Sequence, residues 1–358
     1  MSARPVIDHF AAARAVDYAS QHMGPRVAAF LASAWGVSVE ITGWERFPAG
    51  FSWTTIGFTA TAGGKARELI LRVGDPRGLL APYSARPEFT ALSALQGVAR
   101  LPVPSVYGYS DDASLIGAPF LVTGRVAGDT PMPWHGDAAK RDEAHNETLA
   151  VDFADALAAI HRVEWRRTPL EQLWADVDTR TLAANQVEYW AAHAGLLDDT
   201  ATHLHPPQLH YTMHWLRRHA PASGRAAIVH GDFRVGNFLQ VGGRITAVLD
   251  WELVHLGDPL EDIAWAGLRV FAGGTPRLGG LFDREQVLAR YAQQSGIAVD
   301  MRVVRYYEVL GLFKSAAMLT SAMHRVESGR AGDYRMASMG FQLASTLLEV
   351  NRLIAEAA

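Results

Sequence analysis

Two short stretches hold the side chains best suited to chemistry. The first is His230-Gly231-Asp232-Phe233-Arg234-Val235-Gly236-Asn237, and the second is Asp250-Trp251-Glu252. Between them, the apolar β-prone runs 238–241 and 245–249 flank Gly242-Gly243. That pattern reads as a hairpin closed by a tight glycine turn. Folding the chain back there sets Asp232 and Asn237 beside Asp250. Such a group of oxygen ligands suits a hard cation, because Mg²⁺ takes one or two protein oxygens and shares its other positions with phosphates and water. The competing reading is structural: His-Gly-Asp as a plain turn, with Asp250 as a cap.

An Asp-x-x-x-x-Asn spacing, followed by an Asp after a hairpin, is the catalytic-loop arrangement of protein kinases. Here His-Gly-Asp stands for His-Arg-Asp, and Asp-Trp-Glu for Asp-Phe-Gly. In those two departures the chain resembles the aminoglycoside phosphotransferase family of small-molecule kinases, over roughly residues 40 to 330. The resemblance implies an α+β, bilobal protein-kinase-like fold, with an antiparallel N-lobe sheet carrying one helix and a larger, mainly helical C-lobe. It implies ATP and Mg²⁺ as cofactors and a hydroxyl of a small molecule as phosphate acceptor. Asp232 becomes the base or orienter of that hydroxyl. Asn237 and Asp250 become the metal ligands, and Arg234 the cation touching the transferring phosphate; an exposed loop cation is the other reading of Arg234. His230 braces the loop.

The elements that must position these residues can be read in order. Residues 6–35 have helical spacing, with Gly24-Pro25 breaking the run. The β-rich runs 37–47, 52–61 and 67–73 form an antiparallel meander with turns at 48–50 and 63–64. By resemblance, Gly50 to Trp53, including Ser52, replaces the phosphate-covering loop, although a plain turn fits these residues equally. Arg72 stands on the third strand where a kinase carries lysine. Arginine keeps the charge and binds phosphate through two parallel hydrogen bonds. Glu88, in the helix that follows, is its candidate partner; a first-turn acid favoured by the helix dipole accounts for it equally well. Strands at 103–109 and 119–126 come next. By resemblance, the Gly124 carbonyl and Val126 amide meet the adenine edge. A loop is expected at 129–140, and then helices at 149–161, 182–194, 207–218, 284–294, 301–324 and 334–354. Asp258, Pro259 and Glu261 have the spacing of a capping box. By resemblance, Asp262 braces the catalytic loop. Lys314 and Arg269 are candidates for the pocket wall. The boundaries expected are a helical extension at 1–36, the N-lobe at 37–126 and the C-lobe at 127–358.

Composition narrows the partners. The chain has 358 residues, 49% hydrophobic, with 33 basic and 37 acidic side chains for a net charge of −4. No basic surplus points to nucleic acid or to an anionic membrane. There are no cysteines, so thiolate metal sites and disulfides are excluded. His210 and His214 have i, i+4 spacing, but no glutamate follows His210 as a zinc protease needs. With no signal-peptide core and no apolar run of the ~20 residues a membrane helix needs, a cytoplasmic protein is expected, as monomer or homodimer. The loop 230–237, the run 249–259 and Arg72 look most like the kinase-like domains linked to acyl-CoA dehydrogenases. That makes a hydroxyacyl-CoA the expected acceptor. An aminoglycoside 3′-type kinase and a nucleotide-binding pseudokinase are the alternatives.

Overall fold

A computed structural model describes residues 16–47, 50–132, 143–197, 205–222, 224–331 and 333–357. The expected helix at 6–15, Pro48-Ala49 of the first turn and most of the 129–140 loop lie outside the described residues. In the first lobe, α1 (Ser20–Trp35) precedes β1 (Val39–Phe47), β2 (Trp53–Ala62) and β3 (Lys65–Gly74). Then come α2 (Arg86–Leu95), β4 (Val106–Ser110), the short α3 (Ala113–Ile116) and β5 (Phe120–Gly124). The five strands form one antiparallel sheet in the order β1-β2-β3-β5-β4.

Side-chain alternation decides what each face of this sheet does. On β3, Leu69, Leu71 and Val73 are buried with Phe120 and Val122 of β5 against Met23, Val27 and Leu31 of α1. The intervening Ile70 and Arg72 therefore face the opposite way, into the cleft between the lobes. Pro25 lies inside α1 and does not break it, contrary to expectation. Proline removes one helical hydrogen bond. The apolar stripe Met23, Val27 and Leu31, buried on the sheet, holds the helix together across that point.

The second lobe is mainly helical: α4 (Glu143–Arg162), α5 (Leu170–Trp174), α6 (Leu182–His193) and α7 (Pro207–His219) precede the catalytic stretch. After them come β6 (Ala227–Val229), β7 (Phe238–Val241), β8 (Arg244–Val248), β9 (His255–Gly257), α8 (Leu260–Ala266), α9 (Arg284–Ser295), α10 (Met301–Glu327), α11 (Met336–Met339) and α12 (Leu343–Ala357). The expected single helix at 334–354 is instead two helices joined by a 3-10 turn at Gly340–Gln342. Helix α10 packs against α6, α7, α8 and α12, and so forms the spine of this lobe.

The catalytic stretch hangs on two small antiparallel pairs, β7–β8 and β6–β9. Gly242 and Gly243 close the first at φ 57° and 81°. Both angles lie in the left-handed region of a tight hairpin turn. The segment joining the lobes is stitched to this hairpin. Asp129 and Gln240 exchange both backbone hydrogen bonds at 3.1 and 2.9 Å, and Thr246 Oγ1 donates to the Ala127 carbonyl at 2.9 Å. Replacing Gly242 and Gly243 with alanine is expected to cost about 1–2 kcal/mol per residue. The shift of the urea midpoint measures it.

Candidate active site

The hairpin does what its sequence implies. The Leu249 amide donates to the Asn237 carbonyl at 2.9 Å, which brings the end of the catalytic loop against the start of the Asp250 turn. Asp250 sits at φ 67°, ψ 54°, a left-handed conformation that costs a non-glycine residue about 1–2 kcal/mol. That turn sends its carboxylate toward β3, where Arg72 Nη2 donates to Oδ1 at 2.7 Å. The same guanidinium donates through Nη1 to Glu88 Oε1 at 2.9 Å and lies 3.7 Å from Glu252. One arginine thus serves three carboxylates.

This imbalance shows in their titration. Burial alone would push the Arg72 guanidinium down, but Glu88, Asp250 and Glu252 together raise it. Burial pushes the Glu88 carboxyl up to about 7 despite the arginine. Burial, then the nearby Asp250, raises Glu252 well above the usual carboxylate range. The buried Oε2 atoms of Glu88 and Glu252 have no hydrogen-bond partner. Among the described residues no three acidic or imidazole groups converge as a metal cage; Asp250, with 42% of its side chain exposed, is the member of this cluster that a cation in the cavity would reach.

The 230–237 loop is fixed from beneath. Asp262, fully buried on α8, accepts hydrogen bonds from the His230 and Gly231 amides at 2.8 and 2.9 Å. His161 Nε2 lies 3.2 Å from the same carboxylate. Burial opposes ionisation of Asp262, but the bonds from His161 and the loop outweigh it and hold the carboxyl below its ordinary value. Burial lowers His230, so its ring is neutral. It accepts from the Asp232 amide at 3.1 Å and donates through Nε2 to the Leu249 carbonyl at 2.9 Å. The imidazole braces both arms of the hairpin. Gly231 has φ 81°, and a Cβ there would lie 2.5 Å from the Leu253 carbonyl oxygen.

Asp232 projects into the cleft. Its Oδ1 accepts from Arg234 Nε at 3.1 Å and from the Trp265 indole at 2.6 Å, while Oδ2 accepts from Asn237 Nδ2 at 2.5 Å. Donation through Nδ2 leaves the Asn237 amide oxygen outside these bonds. The cavity around these residues measures about 710 Å³, within the usual range of small-molecule sites. Gly50, Ser52, Arg72, Glu88, Gly124, Val126, Asp232, Arg234, Asn237 and Asp250 all line it. These ten positions therefore reach one cleft.

Three expectations need correction. Lys314 and Arg269 do not line the cavity. Lys314 is buried beneath the loop, and Arg269 opens a 3-10 turn at Arg269–Phe271. The capping box is half formed: Asp258 Oδ1 accepts from the Leu260 amide at 2.9 Å, but Glu261 turns away to His255 Nε2 at 3.1 Å. The fifth strand stops at Gly124, short of Val126. Glu252 belongs to the second stretch but has no task there, and nothing in the local pattern marks Trp265; both stand on the cavity wall.

A β-sheet lobe and a helical lobe, with an Asp–Asn loop and a hairpin-delivered aspartate between them, define a small-molecule kinase. The chain belongs to the phosphotransferase enzyme family, whose pattern matches residues 43–307. Among relatives, acyl-CoA dehydrogenase family member 10 of Mus musculus is 28% identical over 74% of this chain and 25% of that protein. The probable acyl-CoA dehydrogenase IBR3 of Arabidopsis thaliana is 24% identical over 87% of this chain and 39% of that protein. The chain thus spans only a quarter to two fifths of these relatives. Among solved structures, a putative aminoglycoside phosphotransferase of Ralstonia eutropha has the same fold at TM-score 0.69 and 23% identity, covering 93% of this chain and 98% of that one. The APH(4)-Ia complex with AMP-PNP and hygromycin B follows at TM-score 0.52 and 17% identity, covering 93% and 99%.

Two tests follow from the charges. Glu88 holds its proton to about 7 in the fold against an ordinary 4.5, so its contribution to stability is full below the unfolded value and lost as pH rises through 7. Glu88→Gln should narrow the gap in melting temperature between about pH 5 and about pH 8. Asp262→Ala should cost about 3–5 kcal/mol, because it leaves buried donors unpaired. Chemical denaturation reads the loss.

Proposed function

We propose that the protein transfers the terminal phosphoryl group of ATP to a hydroxyl of a small molecule with an apolar body, a hydroxyacyl-CoA being the class it suits best. The observation that carries the acceptor class is the wall beyond Asp232. Val270, Phe271, Met318, Leu319 and Met339 form it, with Gln342 and Thr346 as the polar groups. A polycationic aminoglycoside needs acidic groups there. The acids lining the cavity are instead Glu88, Asp232, Asp250 and Glu252, gathered around Arg72 and the loop. Relatives named as acyl-CoA dehydrogenases support the same class. The complexes of neighbouring folds with AMP-PNP, ADP and GDP support a nucleotide as phosphate donor.

Each residue then has a task. The wall of Ile70, Leu92 and Leu239 receives the base, with Gly124 and Val126 offering backbone groups to its edge. Arg72, oriented by Glu88, binds phosphate oxygens, and Gly50 and Ser52 cover them. Asn237 and Asp250 would hold Mg²⁺, which when bound neutralises charge on the phosphates. Arg234 meets the transferring group. Asp232 accepts the hydrogen bond of the acceptor hydroxyl and takes its proton as the oxygen bonds to phosphorus. The donors from Arg234, Trp265 and Asn237 fix the direction of its remaining lone pairs.

Asp232→Ala should lower turnover by roughly 10²–10⁴-fold while nucleotide binding, read by calorimetry, is retained. Asp250→Asn should move the magnesium dependence of ADP release to higher concentration; an unshifted titration removes Asp250 from the metal. A panel of hydroxyacyl-CoAs, aminoglycosides and amino alcohols tests the acceptor. Selective turnover of kanamycin-like compounds would overturn the apolar class. Tight ATP binding with no turnover of any compound would favour a binding module.

A further inference from the structure

Lys314 is a buried cation that the proposed chemistry does not use. It lies in the middle of α10 and is 3% exposed. It makes no ion pair with a carboxylate among the described residues. Its Nζ donates to the Gly231 carbonyl and stands 4.2 Å from the centre of the Trp265 ring and 5.3 Å from that of Trp190. An ammonium taken out of water costs stability; burial pushes its titration down, against the opposing pull of Glu261, Asp232, Asp262 and Glu252, none of which it pairs with directly. A methionine of similar length would fill the same space at no such cost. The lysine therefore needs an account other than packing.

Two of its three contacts, those to Gly231 and Trp265, converge on Asp232. The Gly231 carbonyl belongs to the peptide whose N–H is that of Asp232, and that N–H is held by His230 Nδ1 at 3.1 Å. Lys314 and His230 thus grip opposite ends of one peptide plane, and the plane sets the direction in which the Asp232 side chain leaves the backbone. The Trp265 ring that receives the ammonium on its face also donates its indole N–H to Asp232 Oδ1 at 2.6 Å. A cation over an indole face is attracted to the ring and holds it in place. We infer that Lys314 is a positioning residue for phosphoryl transfer, aiming the Asp232 carboxylate through the Gly231 peptide and through Trp265. This rests on the kinase reading above.

The test uses the full chain, magnesium–ATP and water as acceptor, so that no identified substrate is needed. Lys314→Met should lower the melting temperature only slightly, because the Gly231 carbonyl loses its donor while the cost of a buried charge is removed. It should leave the KM for ATP unchanged and lower kcat by about 10–100-fold, the scale of a small misplacement of a reacting group. Amide exchange across residues 230–234 should quicken. Lys314→Arg, which restores a donor, should recover part of kcat. Trp265→Phe keeps the ring face but removes the indole N–H, so combining it with Lys314→Met should cost less than the product of the two separate losses. Wild-type kcat and unaltered exchange in Lys314→Met would overturn the inference. So would joint loss of melting temperature and activity that Lys314→Arg does not restore, or strict multiplicativity of the two substitutions. If the unaltered protein hydrolyses no ATP, the acceptor panel decides the kinase reading separately, and the exchange and melting measurements still decide the role of Lys314.

Discussion

Arg72 is the interaction on which the two lobes depend. It starts on a strand of the small lobe, takes one partner from the small-lobe helix α2 and another from the Asp250 turn of the large lobe. A buried guanidinium in this position pairs well only if both lobes stand at the correct separation. Its fork of donors makes that possible, since a lysine in its place would offer a point charge without fixed directions. The arginine that departs from the kinase pattern is therefore also what draws the lobes together around the cleft. Three carboxylates crowd one cation, and burial answers the crowding by holding protons on Glu88 and Glu252 while Asp250 keeps its place beside the guanidinium.

The large lobe supplies the rigidity that this contact needs. Asp262 ties two successive amides of the loop, His230 joins loop and hairpin, and α10 runs behind both. These bonds are buried, where an unmade hydrogen bond is most costly, so the loop has few alternatives to the observed shape. The left-handed Asp250 is the counterpart of this order, a strained residue held by well-made surroundings.

Much of this was legible in the residues. The Asp232–Asn237 spacing, the glycine turn and Asp250 specify a shared site because a two-residue hairpin permits only one register. The strand expected at 67–73 carries Arg72, while the face it takes follows from the burial of Leu69, Leu71 and Val73 on the other side. What escaped were features that depend on distant partners. Pro25 argues for a break locally, and only the sheet beneath Met23, Val27 and Leu31 reverses that. Glu261 has the spacing of a cap, yet His255 competes for it across a turn. Lys314 reads as a polar residue near a pocket. Its role depends on two tryptophans from separate helices and a carbonyl 83 positions away in sequence. Such long-range meetings leave no periodic trace in the chain.

The stitching of Asp129 to Gln240 governs how the cleft opens. Because the connecting strap is pinned to the hairpin immediately after Gly128, the free length between sheet and anchor is confined to a few residues past Gly124. The small lobe therefore has little slack at the strap with which to slide away. The lobes meet again where Phe51 and Leu79 of the small lobe pack with Ala322 and Met336 of the large one, and Arg335 Nη2 donates to the Gly50 carbonyl at 3.3 Å. The cleft is thus tied at two places, the strap and this apolar contact, and its walls part only where neither holds them.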